Sequence, residues 1–192
     1  MNISKPHDLH VGDKISFKDQ GLAGIDGEEF LVDAVSTYLF YGDFEYAEFT
    51  LSDNYGAKYF LSIESEKGEE YLTLSKELRP DEIYTIFDQE NFDAAVQKKG
   101  SSKVKTKIKE IPATLQGWLA GAYKKDQSFE KARYADKDFR TEMIENWEDL
   151  EYHLFLDRSE EMAIEVEVYE SGDIEVSLTV YPDFEDIKSM SR

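Results

Sequence analysis

Residues 164–181, IEVEVYESGDIEVSLTVY, alternate between aliphatic and polar side chains on both sides of a Ser171-Gly172 pair. Alternation with a period of two is typical of strands that bury one face, and such a pair between two runs is typical of a tight hairpin turn. The stretch therefore predicts an antiparallel hairpin. Its acidic face, with Glu165, Glu167 and Glu175, is expected to meet water. Its other face is expected to bury Ile164, Val166, Val168, Ile174, Val176, Leu178 and Val180.

Earlier runs extend this pattern toward the N-terminus. Turn residues separate five stretches rich in aromatic and β-branched side chains, which favour strands: Lys14 to Phe17, Glu28 to Tyr41, Phe44 to Ser52, Lys58 to Glu64 and Glu70 to Leu74. The turns include Gly42-Asp43 and Glu66-Lys67-Gly68. One helix is predicted after its cap residue Asp88, and it should stop at Gly100. The predicted fold class is mainly β (β-rich α+β), with antiparallel meanders and hairpins that form a sandwich or a partly open barrel, and one or two short helices.

The chain of 192 residues suits a single compact domain, 1–192. A second interpretation divides it into two β-rich halves, 1–97 and 103–192, which residues 98–102 would join. Two segments of the second half fit no single period. Residues 114–123 are apolar but contain two glycines, and residues 139–156 mix helical with alternating spacing.

Acidity is the strongest compositional feature, with 42 acidic residues, 22 basic residues and a net charge of −20. The net charge is −14 over residues 1–96, +7 over 97–134 and −13 over 135–192. Such a surface repels nucleic acid and anionic lipid, and it favours a basic protein, a polycation or a divalent metal ion. The absence of cysteine excludes disulfides and thiolate chemistry. Without an apolar signal region or a bilayer-spanning run, a cytoplasmic protein is expected.

Four lysines in the basic segment alternate with other residues: Lys103, Lys105, Lys107 and Lys109. The spacing predicts a strand with all four lysines on one face. That face either binds a polyanion, or is a solvated edge where lysines prevent unwanted pairing, or lies beside the acidic strand from Ile164 to Glu170. The two structural interpretations are favoured, because a stripe of four lysines attracts nucleic acid poorly within so acidic a protein.

No pattern identifies a catalytic residue, a cofactor site or a metal site. His7 and His10 are two possible metal ligands without a third implied by spacing, and His153 stands alone. With 42 acidic residues, carboxylate pairs occur by chance. Five aromatic residues either line a ligand surface or belong to the core: Tyr41, Tyr46, Tyr59, Trp118 and Tyr123. The candidate interaction face consists of Glu165, Glu167, Glu175, Lys103, Lys105, Lys107 and Lys109.

Two short motifs near the N-terminus and one near the C-terminus carry a family resemblance. Leu9 to Ile15 (LHVGDKI), Ala47 to Leu51 (AEFTL) followed by Tyr59 to Glu64, and Glu165 to Gly172 resemble the bacterial domain of unknown function 4178 family. Phe49 stands where the family usually has tyrosine. The resemblance implies a β-rich fold and transfers no catalytic residue. Members are often encoded beside membrane-remodelling proteins of the phage-shock type and polyamine-synthase-like proteins.

The resemblance and the missing catalytic pattern predict a non-enzymatic accessory protein that acts through protein–protein contacts in a bacterial membrane-stress system. A first alternative is an acidic immunity or decoy protein that binds a basic partner. A second is a module that binds polyamines or small cations, because carboxylates and aromatic rings together recognise ammonium groups. A protein partner is therefore expected, a homo-oligomer is compatible with the sequence, and neither nucleic-acid binding nor direct membrane insertion is expected.

Overall fold

The computed structural model describes residues 2–40, 44–66, 68–97 and 102–192, and within them eleven strands and two α-helices form. The strands are β1 (Lys14–Phe17), β2 (Glu29–Phe40), β3 (Phe44–Ser52), β4 (Lys58–Glu66), β5 (Glu69–Glu77), β6 (Lys103–Lys105), β7 (Ala122–Ala135), β8 (Glu148–Leu156), β9 (Met162–Tyr169), β10 (Ile174–Val180) and β11 (Ile187–Ser191). The helices are α1 (Pro80–Ile86) and α2 (Gln89–Val96). The predicted fold class, mainly β with antiparallel meanders and short helices, is confirmed.

All the strands belong to one antiparallel sheet, in the order β11-β1-β2-β3-β4-β5-β10-β9-β8-β7-β6. The end of β2 also pairs with β7, through Thr37–Phe40 and Ala132–Ala135, although these strands are far apart in that order. This second pairing bends the eight strands from β2 to β7 into a ring. Only four residue pairs close the ring, because the beginning of β2 pairs with β1 instead. The sheet is therefore ring-like without full closure.

The final hairpin predicted from the sequence is confirmed as β9 and β10. Val166 pairs with Val176 and Ile164 with Leu178, so their aliphatic side chains share one face of the sheet. Gly172 in the turn has a φ of 93°, a left-handed conformation that glycine adopts without steric cost. All four aliphatic side chains are buried, whereas Ile174, which was expected to be buried with them, is 55% exposed at the start of β10.

The outer side of the ring holds the main hydrophobic core, where helices and loops cover the aliphatic faces of the strands. Trp118 and Tyr59 stack there with ring centroids 5.9 Å apart, and Trp118 Nε1 donates to the Ala23 carbonyl at 2.9 Å. Tyr123 is also buried in this core. Three of the aromatic residues considered for a ligand surface, Tyr59, Trp118 and Tyr123, therefore belong to the core.

The predicted helix after Asp88 is confirmed as α2, whose first turn Asp88 caps by accepting from the Asn91 amide at 3.0 Å. It ends at Val96, and the expected stop at Gly100 lies outside the described residues. Helix α1 was not predicted, although Pro80 at its first position and two acidic residues in its first turn are typical of a helix start. None of the helices within the described ranges has the length and apolar character needed to cross a membrane.

The predicted lysine strand is shorter than expected, since β6 contains only Lys103 and Lys105. It is an edge strand beside β7, three strands away from β9, so the predicted pairing with Ile164 to Glu170 is wrong. The side-chain amide of Asn91 covers its open edge by bonding to the Lys103 carbonyl at 3.2 Å and the Lys105 amide at 3.4 Å. A helix residue thus takes the place of a neighbouring strand.

Residues 139–156 resolve into a loop followed by β8, and residues 114–123 into a single turn of 3-10 helix, a loop and the start of β7. Strands from both predicted halves pair in the sheet, β1 with β11, β2 with β7 and β5 with β10. Most of the predicted junction at 98–102, the Gly42-Asp43 turn, Tyr41 and Lys67 lie outside the described residues.

Candidate functional site

Glutamates and tyrosines line the inner side of the ring, together with a small apolar cluster that includes Ala132, Leu150 and Leu154. Five carboxylates lie on this face, and we call them the interior glutamates: Glu48 on β3, Glu64 on β4, Glu165 and Glu167 on β9, and Glu175 on β10. Tyrosines accompany them on seven strands or their ends: Tyr38, Tyr46, Tyr71, Tyr134, Tyr152, Tyr169 and Tyr181. The inner face is therefore much richer in carboxyl and hydroxyl groups than the outer face, which holds the main aliphatic core.

A bulge in β2 turns that strand's second half so that it contributes to this inner face. Phe30 and Val32 belong to the outer core, and the pairing with β3 then skips one residue, so that Val35 continues the outer face. Because side chains alternate along a strand, one extra residue reverses the face of every residue that follows. Tyr38 points into the ring as a result, and the bulge supplies the site with its central tyrosine.

Tyr38 reaches across the ring from β2 to β9, past the intervening β7 and β8, where its hydroxyl donates to Glu167 Oε2 at 2.9 Å. Tyr169 donates to the same oxygen at 2.6 Å. Burial raises the pKa of Glu167 to about 7, because the two hydrogen bonds only partly offset the loss of solvation and the charges of Glu165 and Glu175 oppose ionisation further.

Glu165 precedes Glu167 by two residues on β9, on the same face of the sheet, and it faces Glu64 across the ring interior. Burial, followed by the charge of Glu64, raises the pKa of Glu165 to about 7. Tyr71 donates to Glu64 Oε2 at 2.9 Å, and burial still raises the pKa of Glu64. Two carboxylates that share an enclosed space cannot both ionise cheaply, so this pair holds a proton more tightly than free carboxylates do.

The remaining two interior glutamates lie nearer the opening of the ring. Ser36 Oγ donates to Glu48 Oε1 at 3.3 Å, and burial with the charges of Glu167 and Glu165 raises the pKa of Glu48 well above its usual value. Glu175 is more exposed, and Tyr169 donates to it at 3.4 Å. Each interior glutamate therefore accepts a hydrogen bond from a neutral hydroxyl group.

The tyrosines are donors throughout the normal pH range. Burial and the neighbouring glutamates raise the pKa values of Tyr38, Tyr46 and Tyr152 well above the usual value, and that of Tyr134 to about 12. Their rings also pack against one another, since Tyr38 stacks on Tyr46 with centroids 5.5 Å apart. The site thus combines fixed hydroxyl donors, aromatic faces and carboxylate acceptors.

A cavity connects this face with the solvent at the end of the ring near the β9–β10 turn. Its inner part has a volume of only about 30 Å³ and adjoins an outer part of about 250 Å³, and both are lined by Tyr38, Glu48, Phe60 and Glu175. The inner part extends to Glu165 and Glu167. The outer part extends to three exposed carboxylates, Glu77, Glu148 and Asp173. Carboxylates therefore line the whole path from the surface to the interior.

Basic residues do not neutralise the interior glutamates. Within the described parts of the chain, no lysine or arginine forms a salt bridge with one of them. On the neighbouring strands, basic side chains pair with other acids, Lys131 with Glu151 at 2.6 Å and Arg133 with Asp149 at 3.0 Å. The interior of the ring is a region of uncompensated acidity.

The structure changes the sequence-based interpretation of the acidic hairpin face. The expectation that Glu165 and Glu167 meet bulk water is wrong, because the sheet closes into a ring and this face becomes its inside. Glu175 keeps part of its exposure at the opening. The candidate interaction face is therefore divided: its three glutamates lie within the ring or at its opening, whereas Lys103, Lys105, Lys107 and Lys109 are exposed on β6 and the loop after it.

His7, His10 and His153 do not line this cavity, whereas Tyr46 lies on the inner face of the ring. His7 Nε2 is 3.3 Å from Glu70, and His10 Nδ1 is 3.1 Å from an Arg192 nitrogen. In the portion of the chain that the structure describes, no three histidine or acidic residues are arranged to hold a metal ion. His153 is buried on the outer face of β8, with Nδ1 3.3 Å from Ser128 Oγ.

No protein-family model, curated protein or solved structure matches this chain. The resemblance to the bacterial domain of unknown function 4178 family stays a prediction from its short motifs.

Proposed function

We propose that this protein is a non-enzymatic binding module that takes an organic ammonium cation into the ring interior. One observation carries the proposal: four of the interior glutamates, Glu48, Glu165, Glu167 and Glu175, line a solvent-connected cavity, and no basic side chain of the described residues pairs with them. Buried carboxylates are costly unless a proton or a cation accompanies them. An ammonium ion supplies the positive charge that the neutral hydroxyl donors lack, and it adds N–H donors to theirs.

The aromatic lining favours an organic cation over a simple metal ion. Ammonium groups bind to tyrosine faces through cation–π attraction as well as to carboxylates, and that attraction grows when water is excluded. Tyr38 and Phe60 line both parts of the cavity, so an alkyl chain between amines has apolar surface to contact. The described residues hold no cluster suited to a metal ion, which agrees with this preference.

The accessory role through protein contacts and the decoy role both stay predictions. The structure favours the cation-binding alternative over them, because Glu165 and Glu167 are enclosed and cannot contribute to a flat acidic docking face. A docking partner would meet mainly the exposed carboxylates of the outer surface.

Thermal unfolding with spermidine as the probe tests the proposal. A ligand that binds only the folded state raises its stability by RT ln(1 + [L]/Kd). Spermidine is therefore expected to raise the Tm of the wild-type protein at a fixed ionic strength set with NaCl. The double variant Glu165→Gln/Glu167→Gln should lose most of this shift.

The matched control is Glu161→Gln/Glu170→Gln, which removes the same number of carboxyl groups from two exposed positions that flank β9. It should keep the full shift. Equal Tm shifts in both double variants would show that spermidine binds through the overall acidity of the protein, and they would contradict a site inside the ring.

A further inference from the structure

Acidic and phenolic groups face the ring interior from every strand that encloses it. They are Tyr38 on β2, Tyr46 and Glu48 on β3, Glu64 on β4, Tyr71 on β5, Tyr134 on β7, Tyr152 on β8, Glu165, Glu167 and Tyr169 on β9, and Glu175 and Tyr181 on or just after β10. Glu77, Glu148 and Asp173 add charge at the opening, and Asp126 of β7 acts on Tyr181.

Hydroxyl groups satisfy these carboxylates geometrically but bring no positive charge. Glu167 already accepts two tyrosine hydroxyls, and Glu64 accepts one. Negative charge inside the ring therefore accumulates with each ionisation, and it must be balanced by protons on the carboxyl groups or by a cation in the cavity. The two means of balance exclude each other at the same oxygen atoms.

We propose that protons and the bound cation compete for the interior glutamates, so that uptake of the cation releases protons and acidification empties the site. This inference rests on the proposed function and describes how pH regulates the binding of the cation. Glu165 and Glu167 are the central pair, because they lie deepest along the path from the opening and line the inner part of the cavity. Burial sets their pKa values at about 7, which places the competition near neutral pH.

The number of protons released follows from this arrangement. Glu165 and Glu167, each half-protonated at pH 7, together release about one proton when a cation binds there, about two at pH 6 and about half a proton at pH 7.5. Glu48 lines the same inner part with a raised pKa, so its release adds to these numbers. The Kd for the cation should correspondingly be roughly 30-fold lower at pH 7 than at pH 6.

Isothermal titration calorimetry of spermidine tests this directly, at pH 6.0, 7.0 and 7.5, in two buffers with different ionisation enthalpies. The dependence of the observed heat on the buffer gives the number of protons released. Glu167→Gln should remove about one of the two protons at pH 6, because one titrating group is lost. Glu170→Gln, an exposed neighbour, should leave the proton count unchanged.

The outcomes separate the two proposals. Binding with the expected proton release, reduced in Glu167→Gln and kept in Glu170→Gln, supports both. Binding with the same Kd and no proton release across this pH range would refute the competition and leave the cation site standing. No binding at any of the three pH values would refute the proposed function, and the competition with it.

Discussion

Replacing Glu167 by glutamine should remove from the pH dependence of this protein's stability the part that this one interior glutamate contributes. Glu167 Oε2 accepts hydroxyls from Tyr38 at 2.9 Å and Tyr169 at 2.6 Å, and burial raises the pKa of Glu167 from 4.5 to about 7. The folded protein therefore holds this proton more tightly than the unfolded chain. The resulting stability is fully present below about pH 4.5 and is lost as the pH rises through 7.

The magnitude follows from the shift of the pKa. At about 1.4 kcal/mol for each pH unit, a rise from 4.5 to about 7 corresponds to a total of roughly 3 kcal/mol. About 2 kcal/mol of this is lost between pH 5.5 and pH 8.0, a range that avoids precipitation near the isoelectric point. Glutamine does not titrate, so the free energy of unfolding of Glu167→Gln minus that of the wild type should increase by about 2 kcal/mol across the range.

Urea unfolding followed by tryptophan fluorescence measures this difference, since Trp118 is fully buried in the outer core. The buffer should contain no amines, because they would occupy the proposed site. Any constant penalty for burying the glutamine amide cancels when the two pH values are compared. Glu170→Gln serves as the control because it removes an exposed carboxylate next to the same strand. If the free energy of unfolding of Glu167→Gln differs from that of the wild type by the same amount at pH 5.5 and at pH 8.0, the account of a desolvated interior is refuted.

Three further predictions concern the framework that holds the site. Val166→Glu should lower the free energy of unfolding by roughly 4 kcal/mol or more, because it places a charge in the outer core. Ile174→Glu, at a position that is 55% exposed on the same hairpin, should change it little. An unchanged Tm for Val166→Glu would show that the hairpin is wrongly assigned. Gly117→Ala should destabilise by more than Gly56→Ala, since both have positive φ but only at Gly117 does a new Cβ meet the Gly21 carbonyl oxygen; similar urea midpoints would count against that contact. Asn91→Ala should lower the free energy of unfolding by about 1–2 kcal/mol and speed hydrogen exchange at the Lys105 amide, because the open edge of β6 loses its two hydrogen bonds to Asn91. Gln89→Ala, at an exposed position of the same helix, should leave that exchange rate unchanged.

Local patterns in the sequence were sufficient to predict most of the strands. β1 and β3 begin and end at the residues predicted for them, and α2 begins directly after its predicted cap, Asp88. These features depend on neighbouring residues, whose periodicity and turn chemistry are visible in the chain. The position of β8 was ambiguous, because helical and alternating spacings overlap between residues 139 and 156.

The site could not be predicted in the same way, because it depends on which strands meet. Alternation shows that Glu165 and Glu167 share a face, but an acidic face normally meets water. Only the pairing of β2 with β7, between residues almost a hundred positions apart, turns that face inward. The bulge that directs Tyr38 into the ring leaves no clear signal either, since Asp33 is one polar residue in a long strand. The one signal for this site in the sequence was the alternation of glutamates and tyrosines with aliphatic residues, which occurs in strands of both halves of the chain.

The central claim, that the ring interior takes up an ammonium cation, is tested most directly by NMR of protein carrying carbon-13 in its glutamate carboxyl groups. Spermidine is added at pH 7.5 and constant ionic strength, and resonances are assigned through single glutamine variants. The account predicts that the largest shifts occur at Glu165 and Glu167, with little change at exposed Glu161 and Glu170. Shifts of equal size at exposed and interior glutamates, or shifts confined to the exposed ones, would contradict it.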